Sequence, residues 1–302
     1  ENAGVHSGDA TIVLPPQRLY IETIRRIKVI SKQIAKELDI SGPFNIQFLA
    51  KNNRVMVIEC NLRSSRSFPF SSKVTGYNFI EIATEAMIAK TTGKKTLRGK
   101  KLLESRDYKT LDLDHVAVKA PQFSFPRLKG ADPVSGVEMA STGEVACFGE
   151  DLFEALLKAM ISAGFSLPKK GILFSIGGLE SKTDLLPTAV KFSGMGFKIF
   201  ATEGTAKFFE DSGLKNTVLY KVSTGKKPNL LDGMMNHDFD LIVNIPTSYS
   251  RSSVTDGYLI RRKSVDLNIP LITNAQVAKM MAEALLRYGV ADLKIKDAGE
   301  YF

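Results

Sequence analysis

Polar and apolar residues alternate along Phe44-Asn45-Ile46-Gln47-Phe48-Leu49, and a largely β-branched run follows at Val55–Ile58. Between them stands Lys51-Asn52-Asn53-Arg54, and an Asn-rich turn between two such runs predicts a β-hairpin. Upstream, Pro15 and Pro16 precede an amphipathic stretch, Arg18–Leu38, with Ile24, Ile27, Ile30, Ile34 and Leu38 at helical spacing. That spacing predicts one long helix. Thr11–Leu14, Val116–Ala120 and Gly143–Phe148 read as strands, Phe79–Ala89 and Leu152–Ser162 as helices. Strands with helices laid across them predict an α+β lobe over residues 1–165.

Around Pro168-Lys169-Lys170-Gly171 the pattern changes. Strands are predicted at Ile172–Ile176, Phe197–Ala201, Thr217–Val222, Asp240–Val243 and Leu271–Ile272. They alternate with helices at Ser181–Ser193, Thr205–Asp211, Gly257–Asp266 and Ala275–Tyr288. Strand–helix repeats of this length predict an α/β doubly wound parallel sheet, a second domain over residues 166–302.

A length of 302 residues suits two domains, each with its own core. No run of 18 apolar residues exists, so neither a membrane span nor a membrane partner is predicted. The first residue is Glu and no signal-peptide pattern follows it, so the numbering is expected to begin inside a longer chain. Cys60 and Cys147 are expected as buried free thiols. His6, His115 and His237 lie too far apart for a zinc motif. The net charge of +9 raises the question of nucleic acid, but Lys90–Thr110 alone holds eight Lys and Arg against two acidic residues. Six of the nine charges therefore sit in one segment whose single aromatic is Tyr108. With no stacking platform there, the segment reads as a solvated insertion and no nucleic-acid partner is predicted.

The chemistry concentrates where the hairpin ends, in Val57-Ile58-Glu59-Cys60-Asn61-Leu62-Arg63-Ser64-Ser65-Arg66. Strand alternation delivers the Glu59 carboxylate and the Asn61 amide to one face. Pairing in the hairpin can bring Gln47 beside Glu59. Arg63 and Arg66 follow at once. Oxygen donors beside two guanidinium forks suit a magnesium-bound polyphosphate. The plainer alternative is an amphipathic hairpin with a salt-bridged exit loop.

A second cluster falls at the carboxyl ends of the later strands. Gly177-Gly178 with Lys182, Thr202-Glu203-Gly204-Thr205, Lys221 and Asn244-Ile245-Pro246-Thr247-Ser248 all stand there. Such strand ends bind ligands beside helix N-termini, and hydroxyls, amides and two Lys describe an anion pocket, most simply for a phosphate. Routine helix capping by Thr and Ser is the alternative. Arg261 and Arg262 read as a helix-end pair facing their own C-terminal carbonyls.

Gly4-Val5-His6-Ser7-Gly8-Asp9, Asn45-Ile46-Gln47-Phe48 and Ile58 through Lys73 resemble the large subunit of carbamoyl phosphate synthetase, specifically the C-terminal lobe of its second ATP-grasp unit. Lys119 through Arg127 and Glu138 through Val145 continue the resemblance, and the second domain looks like the methylglyoxal-synthase-like regulatory domain of the same family. The resemblance implies a ligase in which ATP phosphorylates carbamate to carbamoyl phosphate. It implies that Gln47, Glu59 and Asn61 hold Mg²⁺ or Mn²⁺, that Arg63 and Arg66 serve as catalytic groups on the transferring phosphoryl and carbamate, and that His6 and Ser7, with Gln47 and Glu59, contact the nucleotide. It implies an effector pocket of Lys182, Thr202, Thr205, Lys221 and Asn244, taking a phosphorylated nucleotide or N-acetylglutamate.

Partners implied in the same way are further ATP-grasp regions and a glutamine amidotransferase, in a cytoplasmic or, alternatively, mitochondrial setting. The 302 residues alone are expected to be inactive. Competing readings are a regulatory fragment that only senses an effector, or another ATP-grasp carboxylate or carbamate ligase. Lyase activity of the methylglyoxal-synthase type lacks a matching set of catalytic Asp residues.

Overall fold

The computed structural model describes residues 1, 3–93, 113–246 and 256–301. Most of the basic segment, and Thr247 and Ser248, lie outside the described residues. Two compact units are present, one of Ile12–Lys119, Phe148–Leu152 and Ile295–Phe302, the other of Glu1–Thr11, Ala120–Cys147 and Phe153–Lys294.

The first of these units carries β1 (Ile12–Leu14), α1 (Ile21–Glu37), β2 (Asn45–Lys51), β3 (Arg54–Asn61), α2 (Ser67–Thr75) and α3 (Phe79–Thr92). Its share of β4 (Val116–Gln122) runs to Lys119, and its share of β5 (Gly143–Gly149) is Phe148 and Gly149. β1 runs antiparallel to β4, with Ile12 opposite Lys119 and Leu14 opposite Ala117. Phe70, Val74 and Ala117 are buried beneath it, with Ile12, Leu14, Leu113 and Phe148 packed around them. The amphipathic helix begins at Ile21, three residues later than its periodicity suggests, and Tyr20 at its N-cap makes no side-chain capping bond.

β2 and β3 pair antiparallel as a separate hairpin. Asn52 and Asn53 both adopt positive φ, 50° and 60°. That left-handed pair is the geometry a two-residue hairpin turn needs, and Asn tolerates it better than most residues. Thr23 of α1 donates its hydroxyl to Asn53 Oδ1 at 2.7 Å, and Arg26 Nη1 donates to the Asn53 carbonyl at 3.1 Å.

The second unit is built on a sheet of order β10-β9-β6-β7-β8, parallel throughout. Its elements are α4 (Leu152–Ser162), β6 (Gly171–Ile176), α5 (Leu179–Gly194), β7 (Lys198–Thr202), α6 (Glu203–Asp211), β8 (Thr217–Leu219), α7 (Leu230–Met235), β9 (Leu241–Ile245), α8 (Asp256–Asp266), β10 (Leu271–Ile272) and α9 (Ala275–Arg287). The central strands are apolar on both faces, as a sheet covered by helices on both sides requires: Ile172, Leu173, Phe174, Leu241, Ile242 and Val243 are all fully buried. β6 is entered through Asp240, whose carboxylate accepts the N–H groups of Lys169, Lys170 and Gly171 at 2.7–3.2 Å.

The segment Ala120–Cys147 belongs to this unit, although it falls among residues expected in the first domain. Arg262 explains much of that. Its Nη1 donates to the carbonyls of Phe125, Leu128 and Ala131 at 3.0–3.3 Å, and Tyr258 donates to the Gly130 carbonyl at 2.9 Å. The helix-end reading of Arg261 and Arg262 is thereby corrected. Both lie within α8 and are buried; Arg261 reaches Asp132 and Asn244, and Arg262 also pairs with Asp266 one turn on. The cysteines are corrected as well, since Cys60 and Cys147 are free but only half-buried. Cys147 Sγ lies 3.5 Å from Ser162 Oγ.

Candidate metal–phosphate and effector sites

In a plain two-residue hairpin closed by Lys51 opposite Arg54, Gln47 would face Ile58. A bulge prevents this. The register runs Phe48 opposite Val57 but Gln47 opposite Glu59, then Asn45 opposite Asn61, so Ile58 is the extra residue. Cross-strand partners share a face, and a bulge re-aims the residues beyond it. Gln47, Glu59 and Asn61 are therefore brought together, with Asn45 as a fourth polar group on the same face. Sequence reasoning passed over Asn45, although its position two residues before Gln47 signals it.

Asn61 Nδ2 donates to Glu59 Oε1 at 2.8 Å, and Glu59 is exposed at the end of the strand. Arg63 and Arg66 are also exposed. Arg63 Nη1 donates to the Ser64 carbonyl at 3.3 Å, while Arg66 stands at the N-cap of α2 without a side-chain capping bond. Among the described residues no group of three or more His, Cys, Asp and Glu side chains could hold a metal ion. A cation at the hairpin would thus have one carboxylate, amide oxygens and whatever a polyphosphate supplies. Magnesium is commonly held in this way, by one or two carboxylates together with substrate phosphates. The donor set fits.

His6 and Ser7 lie in the other unit, in a loop tied to the segment 136–141. The His6 N–H donates to the Gly136 carbonyl at 2.8 Å, and His6 Nδ1 accepts the Gly8 N–H at 3.0 Å. The neutral ring then carries its proton on Nε2. Fully buried Asp9 anchors the same loop by accepting the N–H groups of Ala140 and Ser141, both at 2.9 Å.

At the carboxyl edge of the parallel sheet, Lys182 in the first turn of α5 donates Nζ to the Gly204 carbonyl at 2.7 Å. Thr202 and Thr205 are buried, with their hydroxyls 3.4 Å apart. Thr205 Oγ1 accepts the Ile176 N–H at 3.1 Å, and neither Thr caps α6 through its side chain. Asn244, 2% exposed, donates Nδ2 to the Ser175 carbonyl at 3.4 Å and accepts Arg261 Nη1 on Oδ1 at 2.9 Å. These bonds join Lys182, Thr202, Thr205 and Asn244 into one edge around Ser175 and Ile176. Lys221 is not bound into it. β8 stops at Leu219, earlier than expected, and Lys221 is an exposed residue opening the short turn Val222–Thr224. Sequence reasoning also missed Asp132, which meets Arg261 with both carboxylate oxygens.

An antiparallel lobe bearing an oxygen-donor hairpin, followed by a parallel α/β unit with polar groups at its strand ends, defines an ATP-grasp lobe joined to a methylglyoxal-synthase-like domain. Residues 2–95 match the family described as carbamoyl-phosphate synthase L chain, ATP binding domain, and residues 184–273 match the MGS-like domain. The chain belongs to the carbamoyl-phosphate synthase large-chain family. It is 48% identical to Multifunctional protein URA2 of Saccharomyces cerevisiae, over 99% of its own length and 13% of that protein's. It is 46% identical to the human protein named carbamoyl-phosphate synthase [ammonia], mitochondrial, over 97% of its own length and 19% of the relative's. Multifunctional protein pyr1-3 of Dictyostelium discoideum is likewise 46% identical, with 12% of its length covered. The chain thus spans a small part of the curated relatives it matches. No helix among the described residues is long and apolar enough to cross a membrane.

Proposed function

We propose that this chain supplies part of the site at which a longer ligase phosphorylates carbamate with ATP, and that its second domain binds the effector regulating that step. The observation that carries the catalytic half is the bulged register placing Gln47 opposite Glu59 and beside Asn61. Carbamate oxygen attacks the γ-phosphorus, the bond to the β–γ bridging oxygen breaks, and ADP leaves with that electron pair. Little covalent chemistry is asked of the protein; positioning and charge neutralisation dominate. Glu59 supplies the single negative charge toward Mg²⁺ or Mn²⁺, with Gln47 and Asn61 adding oxygen donors. Held by these three residues, a cation would neutralise charge on the phosphates. Arg63 and Arg66 hold the transferring phosphoryl group and carbamate, and His6 and Ser7 contact the nucleotide or its phosphates. Residues 1–165 and 166–302 are the two domains in this reading.

Exposed apolar groups support a larger assembly. Met56, Val57, Ile58 and Leu62 are 44–62% exposed on and after β3. A lone two-stranded hairpin is marginal in water, so the longer protein is expected to cover this one. Further ATP-grasp regions and a glutamine amidotransferase are its proposed partners, in the cytoplasm, with the mitochondrion as the alternative raised by the names of three mammalian relatives.

For the effector, a phosphorylated nucleotide is favoured over N-acetylglutamate. Lys182 and Lys221 bring two cations to the domain, and a phosphate dianion gains more from them than a carboxylate does. The test is calorimetric titration of the 302-residue chain with UTP and with N-acetylglutamate. UTP binding that weakens in salt and is lost in Lys221→Ala is expected. Binding of N-acetylglutamate alone would move the chain from pyrimidine synthesis to arginine or urea metabolism. A Mn²⁺ titration of the longer protein in the presence of ADP, read by water-proton relaxation, tests the hairpin: Glu59→Ala is expected to abolish tight binding, and unchanged binding would refute the assignment.

A further inference from the structure

Arg261 sits where two networks meet. Its side chain is 7% exposed, and its Nε and Nη2 grip the two carboxylate oxygens of Asp132 at 2.7 and 2.5 Å. The remaining arm, Nη1, donates to Asn244 Oδ1 at 2.9 Å. A guanidinium has donors only, so the oxygen of the Asn244 amide must face it. The amide is thereby fixed with its NH₂ toward Ser175 and the strand ends, where it can offer a hydrogen but not accept one.

Asp132 leads elsewhere. It lies in the stretch 128–141, held to α8 by Arg262 and Tyr258 at one end. Four residues beyond Asp132, the Gly136 carbonyl receives the His6 N–H. Ala140 and Ser141 then clamp Asp9. The whole path from Asn244 through Arg261, Asp132 and Gly136 to His6 lies in one compact unit.

We propose that Arg261 is a positioning residue with two effects: it makes Asn244 a donor that selects an acceptor-rich, anionic effector, and through Asp132 it carries occupancy of that site to the loop of His6 and Ser7. The inference rests on the effector site proposed above. A ligand oxygen competing with the Ser175 carbonyl for Asn244 Nδ2 displaces the amide. A bidentate charged pair transmits that displacement because both of its bonds would have to break for it to yield. Coupling of this kind is a free energy shared by the two sites, and it acts in both directions.

Hydrogen–deuterium exchange of the 302-residue chain, with UTP as the probe, tests it. Saturating UTP is expected to alter exchange in residues 3–10 and 136–141 by at least about fivefold, the lower end of the usual range of coupling. Asp132→Asn, which keeps the shape and loosens the fork, is expected to bind UTP nearly as well while that distant change disappears. Asn244→Asp still accepts from Arg261 but replaces the donor with a negative oxygen. It is expected to lose roughly tenfold or more in UTP affinity with an unchanged circular-dichroism spectrum. UTP binding to the unaltered chain without any change at residues 3–10, transmission surviving in Asp132→Asn, or undiminished affinity in Asn244→Asp would each overturn the inference while leaving the effector site in place. Failure of the unaltered chain to bind UTP would overturn both.

Discussion

Thr205→Val separates what the effector edge contributes to stability from what it contributes to binding. β6 pairs with β7 only as far as Phe174, whereas its pairing with β9 runs to Ile176 and on to the bond from Gly177 N–H to the Ile245 carbonyl. Backbone groups of successive strand residues point to alternate sides. The N–H and C=O of Ile176 therefore face the β7 side, beyond the last paired residue there. Thr205 takes both, accepting from the N–H at 3.1 Å and donating to the carbonyl at 3.3 Å. Thr205 is 1% exposed, so no water replaces it readily. Valine keeps the branched shape and removes the oxygen. An orphaned buried N–H costs about 1–3 kcal/mol, and the lost net bond about 1 more. The added methyl returns up to roughly 0.8 kcal/mol. A net loss of about 1–3 kcal/mol is expected, lowering a urea midpoint by roughly 1 M at ordinary denaturant sensitivities. Thr205→Ser keeps the hydroxyl and should lose less. A Val variant within about 0.3 kcal/mol of the parent, or a Ser variant less stable than Val, would refute the reasoning.

Phe239→Ala is expected to destabilise by about 3–5 kcal/mol in the same urea assay, since the ring is 1% exposed and packs 5.6 Å from that of Phe200; a loss under about 1 kcal/mol would contradict it. The hydrogen bond from Arg262 holds the Asp266 carboxyl below the ordinary aspartate value. Its stabilising effect is present at neutral pH and lost as pH falls through the lowered value, because the unfolded chain then binds the proton more readily. Asp266→Asn should accordingly show a shallower loss of stability below the ordinary aspartate range, and an unchanged acid slope would argue against the pair. The 302-residue chain alone should neither hydrolyse ATP nor form carbamoyl phosphate, because positioning worth roughly 7–11 kcal/mol of barrier needs the rest of the site. A coupled ADP-release assay showing turnover at synthetase-like rates would disprove that.

Much of the fold is legible because its signals are local. The Asn52-Asn53 turn, the strand–helix alternation after Gly171 and the apolar runs of β6 and β9 each follow from short-range chemistry. Two short helices escape it. α7 has six residues, too few for a period to show, and is fixed by a capping box between Asn229 and Asp232. α2 carries Pro69 in its first turn, where proline is tolerated but reads as a break. The pairing of Gln47 with Glu59 was expected, yet it exists only because Ile58 bulges, and nothing in the alternation of the two runs announces that. Arg261 and Arg262 misled for a different reason. A basic pair in a helix suggests surface and dipole, and its actual partners, Asp132 and the carbonyls of Phe125 to Ala131, lie some 130 residues away in sequence.

The most direct test of the hairpin's role is carbamoyl phosphate formation by the longer protein carrying Glu59→Ala, assayed from ATP and carbamate with UTP binding measured alongside. Glu59 is the one charged group among Gln47, Glu59 and Asn61, so the account predicts abolished carbamate phosphorylation with effector binding intact. Near-normal carbamoyl phosphate synthesis by that variant would contradict it.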